Sequence, residues 1–132
     1  MIKTAIYHFE AKVISRGAGR SAVAAAAYQS GEQLYNDYDG ITHDYTKKTG
    51  VLFSEILLPD MAPAEWADRQ TLWNAVEQAE KAKDSRLARQ LIVALPTELT
   101  MQDWQAMLHQ FVLEECVAKG MCADFAIHDT DG

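Results

Sequence analysis

Cysteine is scarce in this chain. The 132 residues contain two, Cys116 and Cys122, too few for a disulfide framework and spaced like no common zinc site. Buried thiols in a reducing compartment are expected instead. Long apolar runs are missing too: Ala22–Tyr28 and Leu91–Leu95 fall far short of the roughly 20 residues that a membrane span needs. The N-terminus lacks a basic stretch leading into an apolar segment and a small-residue cleavage site, so no secretory leader is expected and the cytoplasm is the expected location. Nor is there an excess of base. A net charge of −7 argues against a nonspecific nucleic-acid binder. From Leu95 onward seven acids stand against one base, Lys119. The acid is therefore concentrated in the last third, while Lys3, Lys12, Arg16 and Arg20 face only Glu10 near the start. What is present is an ordinary globular mixture, 48% hydrophobic and 23% charged, of a size that suits one domain.

The patterning predicts alternating elements. Ile2–Ile14 alternates like a strand and is broken at Arg16-Gly17-Ala18-Gly19. Ser21 is placed to cap a helix over Ala22–Leu34, whose alanines let it lie close to a sheet. Asn36–Gly50 is polar and turn-rich, a loop or mobile hairpin. Val51–Leu58 reads as a strand ended by Pro59, and Pro63 as the opening of a helix to about Lys83 with Trp66, Trp73 and Val76 inward. A third strand spans Leu87–Leu95. Thr100 and Asp103 resemble a capping box for a helix carrying Trp104, Leu108, Phe111 and Val112, stopped at Gly120. Met121–His128 is a last strand, with Asp124 and His128 on one face and Ala123, Phe125 and Ile127 on the other. By itself this β-α-β-α-β-α-β order suggests βαβ units and a parallel sheet.

Spacing alone names no activity. The histidines His8, His43, His109 and His128 form no i,i+2 or i,i+4 pair, so no metal site is legible. Gly17-Ala18-Gly19 lacks the full glycine pattern of a phosphate loop, although the amides at the helix start are able to hold one phosphate. On helical periodicity Tyr28 shares a face with Ala24, Ala25, Gly31, Glu32 and Tyr35, which describes a core tyrosine. The three tryptophans lie on helix stripes and read as core rather than as stacking platforms.

A longer set of residues is more specific. Ala5-Ile-Tyr-His8, Ser15-Arg16 and Gly19-Arg-Ser21-Ala-Val-Ala-Ala-Ala-Ala-Tyr28 closely resemble the opening of the MobA/MobL mobilization relaxases. So do His43-Asp-Tyr45, Ser54-Glu-Ile-Leu-Leu-Pro59, Leu72-Trp-Asn-Ala-Val-Glu77, Leu95-Pro96 and Ala126-Ile-His128. The resemblance implies an α/β fold with a mainly antiparallel sheet and packed helices, the His-hydrophobe-His relaxase fold. Residues 1–132 would then form a single incomplete domain that lacks the strand carrying a histidine pair.

The activity it implies is strand-specific nicking of origin-of-transfer DNA by tyrosine transesterification, leaving a 5′-phosphotyrosyl link. Tyrosine suits this because its ester resists water yet keeps a phenolate as leaving group. By resemblance Tyr28 is the nucleophile and His128 one of three ligands of a divalent metal, manganese or magnesium, the other two being expected beyond Gly132. His8, Glu98 and Gln90, the last standing where many relatives carry Glu, are candidates for supporting the site. Lys12, Arg16, Arg20, Lys47 and Lys48 are the candidate phosphate contacts, while Arg86 and Arg89 are expected to pair with local acids. The implied partners are single-stranded origin DNA, accessory mobilization and coupling proteins, and a second copy of the chain through an incomplete sheet edge. The rival expectation is a truncated, non-catalytic remnant that retains at most DNA binding or self-association.

Overall fold

The computed structural model describes residues 9–80 and 82–129. Strand β1 (Phe9–Ser15) leads through a short 3-10 turn into helix α1 (Ala22–Ser30). Strands β2 (Gln33–Asn36), β3 (Ile41–Asp44) and β4 (Val51–Leu57) follow. Helix α2 (Arg69–Ala79), strand β5 (Arg86–Val93), helix α3 (Met101–Glu115) and strand β6 (Ala123–His128) complete the order.

Strand pairing is antiparallel throughout these elements. Strand β1 runs against β5 with Val13 opposite Arg89, and β4 runs against β6 with Glu55 opposite Phe125 and Val51 opposite His128. The parallel sheet suggested by strand–helix alternation is therefore overturned, and the antiparallel arrangement implied by the family resemblance holds. Hydrogen bonding gathers the strands into three two-stranded pairs, β1–β5, β2–β3 and β4–β6.

Local chemistry sets most boundaries. The Ser21 hydroxyl caps α1 by accepting from the Ala24 amide at 3.1 Å. The helix stops at Ser30 rather than at Leu34, because Gly31 takes a left-handed φ of +70° and donates its amide to Ala27 O at 2.9 Å. A Cβ at Gly31 would also stand 3.3 Å from Val51 Cγ2. Tyr35 consequently belongs to β2 and not to the helix that carries Tyr28. The polar stretch after it is a hairpin: Gln33 pairs with Asp44 and Asn36 with Ile41. Pro63 opens a 3-10 turn over Ala64–Ala67, and the α2 helix proper begins only after Asp68, whose carboxylate accepts from Thr71 N at 3.0 Å. The capping box of α3 is formed as the sequence predicts, with Thr100 and Asp103 bonded reciprocally at 3.2 Å.

Helix α1 is the hub of the core. Val23, Ala26, Ala27 and Leu34 form one buried cluster, and Ile14, Ala22 and Leu87 form another. Trp73 of α2 packs against both. Two tryptophans also anchor their indole N–H groups, Trp73 on Asp124 at 2.8 Å and Trp104 on Pro96 O at 2.7 Å, consistent with a packing role. Cys116 and Cys122 are free thiols. Burial pushes both upward in pKa, helped at Cys116 by the charge of Glu115, which keeps them protonated at neutral pH.

A buried ion pair joins β1, α1 and α2. Arg16 and Glu77 meet at 2.9 Å, with side chains only 9% and 1% exposed. The guanidinium also donates to Glu77 O at 2.9 Å, to Ala82 O at 3.0 Å and to Glu80 O, and the Tyr38 ring lies 3.7 Å over it. The second oxygen of Glu77 accepts the Ala22 amide at 2.8 Å. A protein carboxylate therefore holds the start of α1, where the helix field favours an anion, and Glu77 takes the Ala22 amide that a phosphate there would use. Arg16, a candidate DNA contact by sequence, is committed to the fold. Glu77→Gln, which leaves the Arg16 charge without its buried counter-ion, is expected to lower unfolding free energy by about 3 kcal/mol. Urea denaturation checks this, and a midpoint matching the parent would refute it.

Candidate active site

The site forms where α1 ends. With Ala22, Val23, Ala26 and Ala27 turned into the core, the next position in the helical rotation faces out, and Tyr28 is 53% exposed. It is not the core tyrosine that periodicity suggests. Its ring meets Tyr45 edge-on, with centroids 5.3 Å apart and an interplanar angle of 89°. Lys48 Nζ lies 3.5 Å from the centre of the same ring and donates to Tyr28 O at 2.9 Å.

His128 reaches this helix end from the last position of β6. Its Nε2 stands 2.7 Å from Gln29 O. A carbonyl oxygen only accepts, so Nε2 carries a proton, which in the neutral imidazole leaves the lone pair on Nδ1. The Gln29 side chain in turn donates to Asp124 O at 3.0 Å, so a single glutamine grips β6 at two points. The strand continues this attachment through Asp129 N, which donates to Gly50 O at 2.7 Å. His128, a hundred residues further along the sequence, is thus bonded to the carbonyl of the residue that follows Tyr28.

Beneath this turn lies a second buried carboxylate, Asp124. Its side chain is 2% exposed and accepts from Arg69 Nε at 2.7 Å, from a terminal nitrogen of Arg69 at 2.8 Å, and from the Trp73 indole. Arg69 also bonds Glu32. Burial acts to lower the Arg69 pKa, but the hydrogen bonds and charge of Asp124, then of Glu32, outweigh it and the net direction is upward. The guanidinium is therefore a permanent cation tying α2 to β6. Sequence reasoning missed this network. Its signal was an aspartate on an otherwise apolar strand, on the face shared with His128.

The remaining candidates lie apart. Gln90 is half-buried on β5 opposite Lys12, on a different strand pair from His128. Lys12 is exposed and pairs with Glu10 at 3.2 Å. Arg20, Lys47 and Glu98 are exposed. His8 lies outside the described residues. Among the described residues neither Arg86 nor Arg89 makes an ion pair, so the pairing with local acids expected for them is not formed, and both are exposed. Also among these residues, no group of three or more His, Cys, Asp or Glu side chains is placed to hold a metal, and no helix is long and apolar enough to cross a membrane.

Antiparallel strand pairs packed with three helices make this a mixed α/β fold, and the comparisons with known proteins give its class, the relaxases of plasmid mobilization. The chain belongs to the MobA/MobL family, whose model matches residues 20–132. It is 44% identical over 124 residues to the mobilization protein MobL of Acidithiobacillus ferridurans, covering 94% of this chain and 32% of that protein. It is 42% identical over 139 residues to the conjugal transfer protein TraA of Agrobacterium fabrum, covering 97% of this chain and 12% of that one. The chain therefore spans a third or less of the length of these relatives. A solved structure presented as the molecular basis of vancomycin resistance transfer in Staphylococcus aureus superposes with a TM-score of 0.89 at 34% identity, over 97% of this chain and 65% of the other.

Because Gln29 joins the tyrosine-bearing helix to the histidine-bearing strand, Gln29→Ala is expected to cost about 1 kcal/mol in stability. It is also expected to broaden the His128 ring signals in an NMR spectrum while sparing those of His109. Unchanged His128 signals would count against the two-point attachment.

Proposed function

We propose that this chain carries the nucleophile of a mobilization relaxase, nicking one strand of single-stranded origin-of-transfer DNA through Tyr28. The observation that carries this reading is the exposure of Tyr28 on the helical turn whose next carbonyl, that of Gln29, is bonded by His128. In the step proposed, Tyr28 Oη bonds to the scissile phosphorus and the bond from phosphorus to the 3′ oxygen breaks. The phenol gives up one proton and the departing 3′ oxygen gains one. One phosphodiester replaces another, so the strand end stays attached as a 5′-phosphotyrosyl ester and the reversed step religates it.

The proposed cofactor is a divalent ion, manganese or magnesium, for which His128 Nδ1 offers one donor. One imidazole does not make a site for a catalytic ion. The described residues are therefore insufficient by themselves to hold it. When bound, such an ion polarises the phosphate and neutralises growing charge. Lys12, Arg20 and Lys47, exposed cations, are the proposed phosphate contacts. Accessory mobilization and coupling proteins are proposed partners by family membership alone.

The test is covalent capture. Oligonucleotides tiled across the transfer origin of the encoding plasmid are incubated with the protein and manganese or magnesium, then run on a denaturing gel. A protein–DNA adduct is expected, and Tyr28→Phe is expected to reduce it on the order of 1000-fold or more with oligonucleotide affinity kept within about twofold. An adduct that survives Tyr28→Phe would remove Tyr28 from the role.

A further inference from the structure

Two adjacent lysines follow β3, and the structure uses them differently. Lys47 is exposed, while Lys48 is half-buried and its ammonium meets Tyr28 twice, over the ring and at the backbone carbonyl. The segment that presents Lys48 is itself fixed. Asp44 accepts from the Thr46 amide at 2.9 Å and from its hydroxyl at 2.6 Å, Lys48 N donates to Tyr45 O at 3.0 Å, and Tyr45 N donates to Glu32 O at 3.1 Å. The ammonium is therefore delivered to the ring by a hydrogen-bonded turn and not by a free loop. Packed on the other contact by Tyr45, the Tyr28 ring has an ammonium over its face and an aromatic partner edge-on.

The consequence depends on what Tyr28 does. The face of a neutral phenol ring already attracts a cation weakly. When the oxygen begins to give up its proton, negative charge spreads into the ring carbons, and the same ammonium attracts it more strongly. An interaction that strengthens as charge develops favours the reacting form over the resting one. In the reverse direction the departing phenolate meets the same cation.

We propose that Lys48 is a positioning residue for Tyr28, fixing the orientation of its ring and offsetting the charge that grows on it as nucleophile and as leaving group, and that it is not a DNA-phosphate contact. This rests on the reading of Tyr28 as the nucleophile, so the decisive measurement is made without DNA or metal. Tyr28 is labelled with an aryl sulfonyl fluoride at fixed pH, its phenolate oxygen displacing fluoride from sulfur. Mass spectrometry follows the rate, normalised to that of exposed Tyr35 in the same sample. Lys48→Met is expected to slow Tyr28 labelling on the order of fivefold, with Lys48→Arg within about twofold of the parent and Lys47→Met without effect. Equal labelling of Tyr28 in the parent and in Lys48→Met would overturn the proposal.

The oligonucleotide assay supplies the second readout. Lys48→Met is expected to slow adduct formation at saturating DNA while leaving affinity and its salt dependence unchanged. A phosphate contact would instead lower the salt slope by about one, and that result would overturn the proposal too. Failure of the nucleophile reading shows separately, as an adduct that persists in Tyr28→Phe.

Discussion

Helix α1 lies against α2 and against residues of all three strand pairs because the face it turns inward is made of Ala22, Val23, Ala26 and Ala27. Short side chains let backbones approach closely, and the rest of the arrangement depends on that approach. A bulkier face would push the helix away from β6 and take Gln29 out of reach of Asp124. The helix is only nine residues long, too short to be stable by itself in water. Its position is set by tertiary contacts at both ends, Glu77 at the start and Gln29 with His128 at the finish.

Two buried carboxylates perform related tasks in different places. Glu77 holds the first turn of α1 to α2 while satisfying Arg16, and Asp124 holds β6 to α2 through Arg69 and Trp73. Burying each charge is costly, and each is compensated by a guanidinium with several hydrogen bonds. Both arrangements fix geometry more than they add stability. Through them α2, which contributes none of the residues proposed for the chemistry, sets the relation between the helix bearing Tyr28 and the strand bearing His128.

Much of this was legible from sequence, and the parts that were not have specific physical reasons. Ser21, the Thr100–Asp103 box and the alternation of Met121–His128 marked real element boundaries, since caps and period-two patterns are local signals. The end of α1 was misjudged because Gln33–Asn36 contains residues that a helix tolerates, and only the left-handed Gly31 with Val51 behind it forces the chain to turn. Pro63 misled in a similar way, opening a 3-10 turn where Asp68 was the true cap. Strand direction was not legible in the alternation of elements, which fits either sense. At the site, Tyr28 and His128 emerged from family resemblance, not from spacing. Periodicity alone placed Tyr28 in the core because it counted Gly31, Glu32 and Tyr35 as face neighbours, and all three lie beyond Ser30, where the helix ends. Arg16 had the charge expected of a DNA contact, but nothing local in the sequence announces that Glu77 lies opposite it.

The last turn of a helix leaves carbonyl oxygens that have no amide to receive, and they form the negative end of its dipole. In α1 the free oxygens of Tyr28 and Gln29 are taken by the Lys48 ammonium and the His128 imidazole. The groups that surround the candidate chemistry are therefore also the groups that finish the helix. Replacing either side chain removes a C-terminal cap as well as a functional group. A substitution chosen to test the chemistry at either position therefore also removes one hydrogen bond from the turn on which Tyr28 is mounted, while the Gly31 amide still closes that turn on Ala27 O.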